Sequence, residues 1–580
     1  MKNAVLSDLF SQMADVMEIL GEDQFRIGSY RKVSRIIADA PADVEAMLES
    51  GRFAETPGIG KSSLAKIEEF VKTGSITAHQ ELLAKIPPDL LDLLKIPGVG
   101  PKGVKAVYEK LNVTSIADLK KAIETGSLAE LPGFGDKKAA AIARGIAFLE
   151  KSTGRIRLDQ ALEAAEIVAA TLHSFSEDLK IQTAGSVRRR SETIGDVDIL
   201  AGGAETEDAS QQIIDAFTKA AFVKQVLASG PTKGSAIIEA SACDVQVDIR
   251  AVPEKSFGAA LQYFTGSKAH NVRMREIAVK AKLKLNEYGL FKGDKMIAGA
   301  DEEQIYQKLG LDYIPPVLRE DRGEIEAAIN SSLTKLVEFA DIKGDFHTHT
   351  LASDGHCEIE ALAAAARDMG YKYICITDHS RSSAIANGLT PKRLARQIEQ
   401  IRKINDKSKG ITILAGSEVD ILADGSLDFD NKLLAELDFV IASIHSALAG
   451  AAEKVTMRTL KAMDSPYVNC IAHPTGRLIA QREPMDLDIA AVIDHAAQTH
   501  TALEVNANPQ RLDLKDVHCK LAVEKGVKLA IGTDAHSASA LALMGFGIAT
   551  ATRGWATRND VLNTFPLSKI RDFVKSKRPK

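Results

Sequence analysis

Along the first 155 residues apolar positions recur at helical spacing, and proline–glycine breaks divide one helical stretch from the next. Ser63-Leu64-Ala65-Lys66-Ile67-Glu68-Glu69-Phe70 is one such stretch. Beyond residue 155 the period changes. Asp196-Val197-Asp198-Ile199-Leu200 and Val245-Gln246-Val247-Asp248-Ile249-Arg250 alternate polar with apolar residues and predict strands. Alternation puts Asp196 and Asp198 on one face, Val197 and Ile199 on the other. From about residue 341 short apolar runs stand alone, each ended by polar residues: 373–377, 439–444, 468–472 and 528–532. Helical stretches lie between them, for example 358–369 and 391–404. Repeated strand-then-helix units with polar residues at the strand ends predict an α/β barrel with its site at that face.

Length supports several units. With 580 residues, and a prior of ~150 residues per domain, about four are expected. Hydrophobic residues at 45% and charged residues at 26% fit a soluble globular chain. No run of 18 apolar residues predicts a membrane span, and Asp8 interrupts the N-terminus before a signal-like apolar region forms. Cys243, Cys357, Cys375, Cys470 and Cys519 are scattered and odd in number, so reduced thiols and a cytoplasmic location are expected. A net charge of −5 does not by itself point to nucleic acid, and function has to come from local motifs.

The first motif is a repeat. Thr56-Pro57-Gly58-Ile59-Gly60-Lys61 returns as Ile96-Pro97-Gly98-Val99-Gly100-Pro101 and as Leu131-Pro132-Gly133-Phe134-Gly135-Asp136, each time followed by helix formers. Such a unit is a tight turn opening a helix. Its glycines (Gly58, Gly60, Gly98, Gly100, Gly133, Gly135) permit positive φ and close approach, and free N–H groups at the helix start can hold a phosphate oxygen. Nothing in the turn reads bases, so it suits nucleic-acid backbone. The units resemble helix-hairpin-helix DNA-binding motifs.

The second motif is acidic. If the strand carrying Asp248 lies beside the one carrying Asp198, three carboxylates converge, and oxygen-only ligands suit Mg²⁺ or Mn²⁺. Upstream, Gly185-Ser186-Val187-Arg188-Arg189-Arg190 offers turn N–H groups, a hydroxyl and a bidentate guanidinium to a triphosphate. The third is imidazole-rich. Asp345-Phe346-His347-Thr348-His349 is followed by Asp354, Asp378-His379, Glu418, His445, His473 and Asp534-Ala535-His536, so six of the 13 histidines fall at strand ends beside acids. His/Asp/Glu donors suit Zn²⁺, Mn²⁺ or Fe²⁺, and the spacing does not separate these.

Gly-Ser-x-Arg-Arg followed by Gly195-Asp196-x-Asp198 is similar to the nucleotidyltransferase signature. Leu261-Gln262-Tyr263-Phe264-Thr265-Gly266-Ser267, with Asn271 and Arg275, resembles the nucleotide-binding segment of family X DNA polymerases. The resemblance implies that Asp196, Asp198 and Asp248 are metal ligands, with Asp248 helping to activate a primer 3′-hydroxyl. It places Gly185, Ser186, Arg189 and Gly195 at the triphosphate, Tyr263, Phe264 and Gly266 at the sugar, and Asn271 and Arg275 at the minor-groove side of the nascent pair. It also calls for a triphosphate-contacting arginine at about the position where Leu158 stands. A lyase-like N-terminal domain would put a Schiff-base lysine at Lys66, whose plainer role is to meet DNA phosphate.

The imidazole-rich region resembles the PHP (polymerase and histidinol phosphatase) domain. Carried over, one metal takes His347, His349, Glu418 and Asp534, a second takes His445 and His473 with Glu418 bridging, and a third takes Asp354, His379 and His536. Arg477 and Arg511 are candidates for a DNA phosphate. The implied fold is multidomain: an all-α helix-hairpin-helix region, an α+β nucleotidyltransferase palm with a nucleotide-binding subdomain, and a distorted, TIM-like α/β barrel. Expected divisions are 1–85 (lyase-like, first hairpin), 86–155 (hairpins), 156–252 (palm), 253–318 (nucleotide-selecting), 319–340 (a linker after Pro315-Pro316) and 341–580 (PHP). The implied function is repair synthesis across short DNA gaps by two-metal nucleotidyl transfer. The PHP site would add 3′–5′ exonuclease, 3′-phosphatase or abasic endonuclease activity. Expected partners are gapped or nicked DNA and deoxynucleoside triphosphates, with a monomer as the working unit. The alternatives are a phosphatase with an inactive DNA-binding half, against which the intact acid triad argues, and a non-catalytic DNA tether.

Overall fold

Each proline–glycine break forms the same turn. The N–H groups of Ile59 and Val99 donate to the carbonyls of Thr56 and Ile96 at 3.1 and 3.0 Å, and Phe134 does so to Leu131 at 3.0 Å. The apolar residue between the glycines (Ile59, Val99, Phe134) is buried in the helical core, while Gly60, Gly100 and Gly135 stay exposed. Gly60 and Gly100 cap the helices Lys61–Thr73 and Pro101–Leu111, and Gly135 opens Gly135–Ser152. Positive φ at Gly58 (113°) and Gly133 (86°) explains why glycine is needed there. The computed structural model describes the chain except for residues 1, 39–43, 50, 57, 97–98, 153, 241–242, 449 and 580, so Gly98 lies outside the described residues. The chain falls into two compact units, one built on residues 1–154 and the other beginning at Arg155.

Among the described residues of 1–154 every element is a helix, and Leu6, Phe10, Met13, Ile67, Leu93, Val104, Leu119 and Ile142 share a core. The second unit opens with a five-stranded sheet in the order Lys180–Thr183, Val197–Gly202, Cys243–Val252, Lys233–Ala240, Val223–Ser229. Its two central strands run parallel with Asp198 directly opposite Asp248. The helices Phe257–Thr265 and Lys268–Lys280 and a three-stranded antiparallel sheet follow.

Of residues 319–340, expected as a linker, the stretch up to Ala328 is packed instead, while 331–340 is mostly exposed. Arg319 is fully buried, its Nε donating to Ile314 O at 2.9 Å and its Nη1 to Glu302 at 2.5 Å. Glu324 is buried too, and Ile325 and Ala328 share a core with Met274, Leu290 and Tyr306. The charges that suggested a solvated tether have buried partners.

Seven parallel strands in chain order, from Gly344–Asp345 to Leu529–Gly532, make the C-terminal barrel. Asn563 spans the seam between the first and last strands, donating 2.8 Å bonds to Gly344 O and Ile531 O. Phe346, Tyr373 and Phe439 fill the interior with rings 4.6–5.5 Å apart. Ile570 and Val574 of the helix Leu567–Lys577 belong to the same apolar cluster. The polar ends of the strands are thereby left for the opposite mouth.

Candidate functional sites

The register that sets Asp198 against Asp248 also brings Asp196 in: one carboxylate oxygen from each lies within 4.8 Å of the others. Burial, then the charges of Asp196 and Asp248, push the Asp198 carboxyl up to about 7. Burial would raise Asp248 as well, but Lys233 Nζ at 2.7 Å and Ser235 Oγ at 2.6 Å hold it below its ordinary value. Gly185, at φ 56°, lies against Asp198, where a Cβ would collide with the carboxylate. Ser186 is on the same short turn.

Arg188, which received no role from sequence, clamps Glu302 with both guanidinium nitrogens at 2.8–2.9 Å and donates to Thr265 at 2.7 Å. It ties the Gly-Ser turn to the helices that carry the nucleotide segment. Arg189 is half-committed: its Nε donates to Glu320 at 3.0 Å and its Nη1 to Thr265 O at 2.5 Å. Arginines flank Leu158: Arg157 precedes it directly and Arg155 lies three residues upstream. Arg155 donates to the Thr193 hydroxyl at 3.0 Å and carbonyl at 2.6 Å, and its Nη1 is 3.3 Å from where a Gly195 Cβ would stand.

Tyr263 and Phe264 meet edge to face at 5.1 Å, and Arg250 covers the Phe264 ring at 4.4 Å. Asn271 Nδ2 donates to Tyr263 O at 2.6 Å, and Arg275 Nε reaches Asn271 O at 3.3 Å. Gly266 (φ 65°) ends their helix. In the helical unit, Lys66 Nζ donates to Ser62 Oγ at 2.9 Å and lies 5.7 Å from the Tyr30 ring centre.

At the barrel mouth the imidazoles surround Glu418. His473 Nε2 and His445 Nε2 lie 2.9 and 3.2 Å from Oε1, while His379 Nδ1 and His347 Nε2 lie 2.9 and 3.4 Å from Oε2. Asp534 Oδ1 is 3.3 Å from His349 Nε2, and Asp354 Oδ2 is 3.4–3.5 Å from His536 and His379. All nine expected residues are therefore in one cluster. The groups able to share a cation overlap more than expected: His349 joins Asp354, His379 and His536, and His379 also faces Glu418 with His445.

Burial would raise Glu418, but His445, His379 and His347 hold it well below the carboxylate range. Burial lowers His379, and Glu418 and Asp354 overcome that, lifting it to about 11. His349 falls to about 4 through burial and its neighbours His536 and His379. A cation fits this donor set. His347 and His349 aim their Nε2 atoms at each other at 3.1 Å, and Nδ1 of both His349 and His473 is buried with no hydrogen-bond partner among the described residues. His473 and Asp534 also hold positive φ (27° and 55°), strain of the kind fixed at functional sites.

Comparison with known proteins agrees with this layout. Family models match for a helix-hairpin-helix domain (1–76), a SAM-like helix-hairpin-helix tandem (90–147), the DNA polymerase beta palm (155–253) and thumb (260–320), and a PHP domain (345–508). The DNA polymerase/3′-5′ exonuclease PolX of Bacillus subtilis is 37% identical over 98% of both chains. The chain belongs to the family X DNA polymerases that carry a PHP domain. Two probable phosphatases, from Thermoanaerobacter sp. and Caldicellulosiruptor bescii, match 41% and 33% of it at 30% and 32% identity, covering 96% and 78% of their own lengths.

In this family X polymerase Glu504 and Asp420 went unread in the sequence, and Asp378 was noted without a role of its own. Glu504 accepts from His347 Nδ1 at 2.6 Å, Asp420 meets His445 Nδ1 at 2.6 Å, and Asp378 gathers Thr350, Ser353 and Gln397 beside His379. Each is an acid inside or ending an apolar run, the signal already used for the cluster itself. Gly532 makes room for this packing, since a Cβ there would stand 2.6 Å from His347 Cβ.

Of the two arginines proposed for DNA phosphate, Arg511 stands 3.7 Å from Asp534, at the cluster. Arg477 is half-buried, donating to Arg511 O at 2.8 Å and to palm residue Glu192 at 2.7 Å.

Proposed function

We propose that this polymerase fills short gaps in DNA at the Asp196/Asp198/Asp248 site and trims or dephosphorylates DNA 3′-ends at the barrel mouth. One observation carries the reading. Two ligand clusters of different donor chemistry, one all carboxylate and one rich in imidazole, stand in a single compact unit. Mg²⁺ or Mn²⁺ on the three aspartates, and up to three Zn²⁺, Mn²⁺ or Fe²⁺ ions on the nine barrel residues, would supply Lewis-acid polarisation of phosphate oxygens.

The chain's own groups do the rest. Asp248, kept ionised by Lys233 and Ser235, would accept the proton of the primer 3′-hydroxyl. Ser186, the Gly185 turn, Arg155 and Arg189 would hold the triphosphate beside Gly195. Arg189 has to release Glu320 to do so. Tyr263, Phe264 and Gly266 would bound the sugar, with Asn271 and Arg275 on the nascent pair. At the mouth, Arg511 would orient the scissile phosphate, a bidentate task suited to guanidinium. The hairpin turns Gly58–Gly60, Gly98–Gly100 and Gly133–Gly135 would grip backbone phosphates. Lys66, exposed and hydrogen-bonded to Ser62, would meet DNA phosphate.

The barrel's likeness to probable phosphatases, and the relative named as a 3′-5′ exonuclease, support phosphoester hydrolysis at this second site. The test is a one-nucleotide gap ending in a 3′-hydroxyl or a 3′-phosphate, with Mn²⁺ and all four deoxynucleoside triphosphates. Asp196→Ala/Asp198→Ala is expected to lose filling but still release the 3′-phosphate, and His347→Ala/His349→Ala to fill the 3′-hydroxyl gap but leave the 3′-phosphate gap unprocessed and unfilled. Wild type that fills no gap would refute the polymerase half. Phosphate release that survives in the histidine variant would refute the barrel half.

A further inference from the structure

Between His379 and the helix Pro391–Lys407 the chain throws out a loop whose tip is the short turn Ala384–Ala386. Ile385 at that tip is 101% exposed, more than any other large hydrophobic side chain among the described residues. A lone exposed apolar residue usually means nothing. Here the loop beneath it is pinned on every side. Leu389 N donates to His379 O at 2.7 Å, Ser383 Oγ to Asp420 at 2.9 Å, and Ser382 N to Asp428 at 2.7 Å. Asn387 Nδ2 reaches the carbonyls of Ala352 and Ser353 at 3.2–3.3 Å, and Arg393 binds the carbonyls of Asn387 and Ala352.

Two of these anchors touch the cluster directly: the loop starts at His379, and Ser383 Oγ is 3.3 Å from His445 Nδ1. A loop so held cannot fold its apolar tip away. Leu351, two residues past His349, adds a second apolar side chain, 52% exposed, on the loop carrying Ala352 and Ser353. Lys392 and Arg396 follow Ile385 on the next helix, exposed and four residues apart, so they share one face.

We propose that Ile385 is a wedge that opens the end of a DNA duplex. It would stack against the terminal base pair and part the 3′-terminal nucleotide from its partner, so that a single strand enters the mouth. Lys392 and Arg396 would take backbone phosphates of that strand. Isoleucine is among the side chains that proteins drive between base steps, and unstacking is the cost an active site buried in a barrel mouth has to meet. The proposal rests on the barrel being a DNA end-processing site.

The test compares the full-length wild type with Ile385→Ala and Ile385→Leu on four substrates in Mn²⁺: bis(p-nitrophenyl) phosphate, a single-stranded oligonucleotide, a matched duplex 3′-end and a mismatched one. Ile385→Ala is expected to lower kcat/KM on the matched end by about tenfold, equivalent to about 1.4 kcal/mol. It should leave the small diester, the single strand and the mismatched end near wild type, and Ile385→Leu should restore the matched end. Lys392→Gln/Arg396→Gln is expected to raise KM on single-stranded and duplex ends alike. An equal loss on single-stranded and matched ends, or none on either, overturns the wedge alone. Wild type that cleaves the small diester and no DNA end overturns the reading beneath it.

Discussion

Asp198 and Asp248 face each other across paired strands, yet burial and the neighbouring carboxylates raise Asp198 while hydrogen bonds from Lys233, Ser235 and Gln246 hold Asp248 low. In the metal-free protein Asp198 keeps its proton up to about pH 7, so folding stability falls as pH rises from the usual carboxylate range towards that value. A metal ion has to displace that proton. We predict that the Mg²⁺ concentration giving half-maximal nucleotide incorporation rises by about tenfold per pH unit below 7; an equal requirement at pH 6 and pH 8 would contradict it. At the barrel, Glu504→Gln removes the carboxylate that orients His347 while keeping its shape. Metal affinity, followed by chelator competition, is expected to drop roughly 10–100-fold with the fold intact. The ligands themselves were legible in the sequence because each carries a charged or imidazole group at the end of an apolar run. Glu504 and Asp420 carried the same signal and were passed over, since they ligate nothing and act through a histidine. The pairing of Arg477 with Glu192 was illegible for a different reason: the two lie 285 residues apart, beyond any local pattern.

At the level of elements, the hairpin turns were readable because three short runs repeat one pattern, glycines around a buried aliphatic or aromatic residue, with positive φ at Gly58 and Gly133. Gly133→Ala forces a Cβ into that conformation. It is expected to weaken binding to gapped DNA by a similar factor for every sequence tested, as a backbone contact should. A sequence-dependent loss would argue against the assignment. The stretch after Pro315-Pro316 was harder, because proline and charge mark linkers locally while the burial of Arg319 depends on Glu302. Burial would raise the Glu302 carboxyl, yet Arg319 and Arg188 bring it down to about 2. Removing one member of such a buried set leaves a charge uncompensated. Arg188→Ala should therefore cost about 3–5 kcal/mol of stability, read by denaturant titration, and should loosen the Gly-Ser turn against the helix it is tied to.

On the scale of the whole second unit, the polymerase core and the barrel meet through charge. Arg553, at the end of the helix Met544–Arg553, donates to Arg189 O at 2.6 Å and pairs with both Glu320 (3.0 Å) and Asp516 (2.8 Å). Arg322 adds a second guanidinium to Asp516 at 3.0 Å, and Arg477 and Lys515 converge on Glu192. These contacts border Arg189 on one side and the barrel loops on the other. Glu320 is shared between Arg189 and Arg553, so whatever draws Arg189 towards a nucleotide leaves Glu320 to the barrel arginine alone. The side chains are largely buried (Arg553 8%, Arg477 12% exposed), so their pairing is little screened by salt. The core and barrel are thus expected to unfold together. Arg477→Met/Arg553→Met strands Glu192, Glu320 and Asp516 with fewer partners, at a cost of about 3–5 kcal/mol for each buried pair broken. Scanning calorimetry should then resolve the second unit's single transition into two, the polymerase core melting apart from the barrel. A variant that keeps one transition at the wild-type temperature would show that these arginines join the domains without coupling them, and that each site is held by its own core.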